Sequence, residues 1–120
     1  EPNETADPNE TADPVGRLRA LNRLARTEQM RPLDAAMRDW AGTNPAAAAA
    51  VEESDGVLLD FITTQLEAIG LDRDDARVRA LMLLALGATR IQAPWPVPAD
   101  TGDRVLDLLT HQDPTRDQLP

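Results

Sequence analysis

The chain has no cysteine, which excludes a disulfide framework, a thiolate metal site and a Cys nucleophile. Its one histidine, His111, is too little for a multi-His metal cluster or a His-based triad, and no paired acid and base or activated hydroxyl stands out elsewhere. A non-enzymatic protein with no cofactor is therefore expected. Asp72, Asp74 and Asp75 are crowded acids, but they lack the Gly and distal Glu of a calcium loop, and negative charge suits a helix N-terminus. Basic charge is scarce. Twelve basic residues, all arginine, face 21 acids, and the net charge of -9 with a pI near 4.4 argues against a direct grip on nucleic acid or an anionic membrane. Long apolar runs are missing too. The longest, Ala80 to Ala88, is far short of the ~20 residues of a bilayer crossing, so a soluble, cytoplasmic protein is expected whose partners are small molecules or proteins.

What is present is alanine and leucine, 19 and 16 of 120 residues, against six valines and three isoleucines. No alternation of apolar and polar residues runs long enough for a strand, so the expected fold is all-α. The 13.1 kDa length suits one domain. Residues 2–7, Pro-Asn-Glu-Thr-Ala-Asp, recur unchanged at 8–13, with no base and no large apolar side chain. Such a segment cannot offset its own ordering entropy, so 1–13 is expected to be a disordered acidic lead-in, 14–112 the helical domain and 113–120 a disordered tail. Because the chain begins with Glu rather than Met, it is expected to start inside a longer polypeptide.

Eight of the ten prolines lie outside 15–93, and the two inside, Pro32 and Pro45, fall at helix starts. Five helices are predicted. The first covers about 14–28 with Asp13 as N-cap; the second, about 31–40, carries Leu33, Ala36, Met37 and Trp40 at helical spacing and stops at Gly42. The third starts at Asn44-Pro45 and runs about 25 residues to a left-handed Gly70. The fourth covers about 73–92, with Asp72 and Asp75 spaced as a capping box, and the fifth about 101–111 with Asp100 as cap.

On a helical wheel the third helix has an apolar face about 200° wide, at about 100° per residue, that includes Val57, Leu58, Phe61, Ile62 and Leu66 together with the polar Ser54, Asp55 and Gln65. Two readings stand. Either Met37, Trp40, Leu58, Phe61, Ile62 and Met82 wall an apolar ligand cavity in which Ser54, Asp55 and Gln65 orient the ligand, or those polar groups bond locally inside an ordinary core. The fourth helix is apolar on every side and so needs covering all round. Its small-residue stripe Ala76, Ala80, Leu83 and Gly87, beside Val105, Leu106, Leu108 and Leu109 of the fifth helix, is expected to form half of a bundle completed by a second subunit. The alternative is a monomer covered by its own first and third helices. Arg19, Arg23 and Arg26 form a basic stripe on the first helix that reads as a solvated face.

Taken in order, Pro14-Val-Gly-Arg-Leu-Arg-Ala-Leu, Arg31-Pro-Leu-Asp-Ala-Ala-Met-Arg-Asp-Trp-Ala, Asn44-Pro-Ala-Ala-Ala-Ala-Ala-Val-Glu-Glu-Ser-Asp and Leu66-Glu-Ala-Ile-Gly-Leu before an Ala/Leu-rich helix resemble the C-terminal regulatory domain of TetR-family transcriptional regulators. The resemblance covers about two-thirds of the chain. It implies an all-helical domain that forms a homodimer and binds a small effector, with the second and third helices bounding the pocket and the fourth and fifth the dimer bundle. It also implies DNA binding only through an N-terminal helix-turn-helix domain, which the residues before Pro14 do not supply. A stand-alone helical interaction module, pairing with full-length relatives, is the alternative.

Overall fold

The computed structural model describes residues 13–25, 30–88 and 92–112. These residues form five helices and no strand: α1 (Pro14–Ala25), α2 (Met30–Ala41), α3 (Pro45–Ala68), α4 (Arg73–Ala88) and α5 (Thr101–Thr110). The fold is all-α, as the composition implied. The expected lead-in up to residue 12, the tail at 113–120 and the expected helical residues 26–28 and 89–91 lie outside the described residues; Gln92, at the expected end of the fourth helix, is not helical.

Three of the four predicted caps form. Asp13 Oδ2 accepts the Gly16 amide at 3.2 Å, Asn44 Oδ1 the Ala47 amide at 3.0 Å, and Asp72 Oδ1 the Asp75 amide at 2.8 Å, each satisfying a donor that the helix itself leaves unpaired. The Asp75 carboxylate also pairs with Arg79, one turn on, at 3.3 Å. Asp100 is the exception. Its side chain makes no cap bond and instead accepts from Arg104 Nε at 2.9 Å, one turn along. At the end of α3 the Leu71 amide bonds to Leu66 O and the Gly70 amide to Glu67 O, closing a Schellman turn in which Gly70 takes φ 110. A β-carbon at Gly70 would be strained there and would also stand 2.6 Å from Gln112 Nε2.

α3 is the central element, packed most extensively against α4, then α2 and α1, while α5 rests on α1 and α4. The core draws on four helices: Leu18 of α1, Ile62 and Leu66 of α3, Ala76 and Ala80 of α4, and Leu106 of α5. Leu66, Ala76 and Ala80 have no exposed surface. Alanine at 76 and 80 presents nothing beyond a methyl group, which lets α4 lie close against its neighbours. Polar ties close the end of the bundle: Arg79 donates to the Leu109 and His111 carbonyls at the end of α5, and Gln112 donates to the Ile69 carbonyl at the end of α3.

Two expectations change. Part of the stripe expected to meet a second subunit turns inward, with Ala76, Ala80 and Leu106 buried by the chain's own helices and Leu83 packed against them, while Gly87 and Leu108 stay exposed and Val105 and Leu109 are half-buried. A wheel shows which residues share a side but not which side finds a neighbour first. Nor is α4 covered all round, since Val78, Leu81, Met82 and Leu86 are about half exposed. On α3, Ser54 and Val57 also lie outside the core face, Val57 at 65% exposure, because four other short helices cannot enclose so wide an apolar face.

Truncating Leu66→Ala should cost about 2–5 kcal/mol of unfolding free energy, because the cavity is walled by several helices. Ala80→Leu should cost about 1–3 kcal/mol by forcing α4 away from its neighbours. Urea unfolding followed by circular dichroism measures both.

Candidate functional site

Two regions hold the residues singled out by sequence. The first is the seam between α2 and α3. Arg38 is the residue that makes it: its Nη1 and Nη2 donate to Asp55 Oδ2 and Oδ1 at 2.9 and 2.7 Å, and its Nε donates to Asp34 Oδ2 at 2.9 Å. The planar guanidinium therefore meets one carboxylate across the seam with two parallel bonds and a second on its own helix at i−4. These bonds, Asp55 first and Asp34 next, raise the Arg38 pKa above its ordinary value against a smaller opposing effect of burial. Because the folded value is the higher one, the guanidinium's own titration leaves this contribution intact around neutral pH and removes it only as pH rises through the folded value. The guanidinium thus adds no pH dependence near neutrality.

Gln65, buried in α3, accepts from Arg17 Nη1 of α1 at 3.3 Å. Asp55 and Gln65 thus both bond to arginines of neighbouring helices, and Ser54 is exposed. Among the described residues no buried side-chain nitrogen or oxygen lacks a partner. Ile62 sits in the core cluster, Phe61 packs against it, and Leu58 and Met37 are half-buried. Trp40 and Met82 are 54% and 47% exposed, so the nine candidate ligand residues divide between the core, the α2–α3 seam and the surface. An open depression of about 500 Å³ lies at the N-terminal end of α4, lined by Asp72, Arg73, Asp74, Asp75 and Val78, and none of the nine lines it.

The second region is the outward side of α4. Val78, Leu81, Met82 and Ala85 recur at i, i+3, i+4 and i+7, and all four are exposed. Met82 and Leu86 follow Arg79 at i+3 and i+7, on the edge of α4 from which Arg79 reaches the end of α5. On α5 itself Leu108 is 73% exposed, whereas Val105 and Leu109 are half-buried. Gly87 is exposed, with no atom within 4 Å of where a β-carbon would stand. No charged residue occurs from Ala80 to Ala88.

No family model, curated protein or solved structure matches the chain. The functional reading therefore rests on geometry and on the sequence resemblance. Among the described residues no group of three or more Asp, Glu, His or Cys is placed to hold a metal, and no helix is long and apolar enough to cross a membrane.

Sequence reasoning missed the arginines. The Asp34–Arg38 spacing on one helix face was a legible signal, but the longer reach from Arg38 to Asp55 and from Arg17 to Gln65 had none. Likewise Arg19 of the basic stripe pairs with Asp107 at 2.8 Å and Asp103 at 3.7 Å on α5. These are exposed pairs, each worth at most about 1 kcal/mol.

Arg38→Ala should destabilise the fold by about 1.5–3 kcal/mol, the range for hydrogen bonds to charged groups. Arg38→Lys should recover only part of the loss, since an ammonium cannot make the paired bonds to Asp55. Equal stability of Arg38→Ala and the parent in urea unfolding would show that the seam does not depend on this residue.

Proposed function

We propose that this chain is the dimerising, effector-sensing part of a TetR-like transcriptional regulator, cytoplasmic and without enzymatic activity, and that two copies associate through the outward side of α4 and the adjoining surface of α5. The observation that carries the reading is the uncovered stripe Val78, Leu81, Met82 and Ala85, four apolar residues at helical spacing with solvent on them. A contiguous exposed apolar stripe marks an interaction surface more often than a scatter of single residues does. A two-fold axis through the stripe would set it against itself, closing the assembly at two copies. By the resemblance, the same two helices would supply the dimer bundle, but with the opposite side of α4 from the one its small residues suggested.

Effector sensing belongs to the same proposal and rests on α2 and α3. Met37 and Trp40 on α2 and Leu58 and Phe61 on α3 stay partly uncovered, whereas Ile62 and Gln65 are closed into the core. A small apolar effector would have its wall area at the former set. By the resemblance, DNA contact belongs to an N-terminal helix-turn-helix domain, and the net charge of -9 supports this reading because it disfavours phosphate contacts by the chain itself.

Light scattering or sedimentation equilibrium at tens of micromolar should give a dimer mass. Leu81→Asp should return the monomer mass while leaving helicity and melting of the monomer near those of the parent. Leu81 is 56% exposed in the single chain, so the charge is solvated there, whereas a dimer would bury it unpaired at a cost of several kcal/mol. A monomer mass for the unmodified chain would overturn the proposal.

A further inference from the structure

The connection from α4 to α5 contains Pro94-Trp-Pro-Val-Pro98, and within it Trp95 and Val97 are 62% and 55% exposed. Both tryptophans of the chain are more than half exposed, and each offers a large apolar area that the single chain leaves unburied. Three prolines in five residues fix φ at every second position and remove three amide donors. The segment is thus stiff, so holding Trp95 and Val97 against another surface costs it less conformational entropy than a flexible loop would lose. Its missing amides also make it a poor partner for a strand edge and leave apolar packing as its available contact.

Charge indicates the occupant. Two copies of a chain with net charge -9 repel each other, and they meet with least repulsion where neither carries acid. From Ala80 to Pro98 the one charged residue is Arg90, whereas the exposed apolar residues of α2, Leu33 and Trp40, stand among Arg31, Asp34, Arg38 and Asp39. In sequence, the stretch without an acid takes in Leu81, Met82 and Ala85 of the outward stripe of α4 and the whole of this connection.

We infer that the segment 93–98 is an arm that packs Trp95 and Val97 against the second copy, extending the α4 contact beyond the helices. The inference rests on the self-association proposed above and adds a residue to it that no helical pattern marks. Trp95, large and pre-positioned, is the anchor of the arm, in keeping with the weight tryptophan carries at protein interfaces.

The test uses the full chain with Trp40→Phe, which leaves Trp95 as its one tryptophan. Mass by sedimentation and Trp95 emission are followed over the same dilution series. The expected result is that emission moves to shorter wavelength, and acrylamide quenching falls, over the concentrations where the mass doubles. Trp95→Ala in the otherwise unmodified chain should weaken association at least tenfold, with helicity unchanged. A doubling of mass with emission and quenching constant, and with Trp95→Ala associating as the parent does, overturns the arm while the α4 interface stands. A monomer mass throughout overturns both.

Discussion

The close approach of α4 to the rest of the bundle is the constraint on which the other features depend. Ala76 and Ala80, with no exposed surface, sit in one cluster with Leu66 and Ile62 of α3, Leu18 of α1 and Leu106 of α5. With Ala76, Ala80 and Leu83 turned inward, Val78, Leu81, Met82 and Leu86 are left on the outer side. A residue one size larger at either alanine would lift α4 from the core, and with it the ties that Arg79 makes to the end of α5. The apolar exterior of α4 is thus a consequence of how its interior face is packed.

Arginine does the corresponding work where the helices meet through polar residues. Arg38 joins α2 to α3, Arg17 joins α1 to Gln65 of α3, Arg19 reaches α5, and Arg79 ties α4 to the end of α5. A chain without lysine has in each case a planar group able to serve two acceptors at once. The half-buried pair at Asp55 carries the most weight because its geometry is bidentate and its solvent screening is reduced. The exposed pairs at Asp103 and Asp107 orient α1 on α5 more than they stabilise it.

A regulator of the proposed kind needs one rigid surface for its second copy and one region able to respond to a ligand. α4 is fastened by the core and by ties at the end of α5, whereas α2 is held to α3 in part through the Arg38 cluster and keeps Leu33 and Trp40 largely in water. An effector that covered Trp40 and Met37 would add to α2 the apolar contact it now lacks, without disturbing Ala76 or Ala80.

The helices, their order and most of their ends were legible in the sequence because they depend on neighbours within a turn or two. Asn44 before Pro45, Asp13 and Asp72 ahead of their amides, and Gly70 where φ turns positive each act through contacts a few residues away. Asp100 stands at the N-cap of α5 as expected, but its carboxylate makes no cap bond, being taken by Arg104 one turn on. Of the candidate site, periodicity identified Gln65 and Asp55 as inward-leaning polar groups, but not the arginines from other helices that satisfy them. Periodicity also placed Ala76, Ala80, Leu83 and Gly87 on one side of α4, but which side is buried depends on where α1, α3 and α5 lie. Those positions come from contacts between residues distant in the chain, and no local pattern encodes them; only the tertiary structure turned the small side inward and left Leu81 and Met82 facing water.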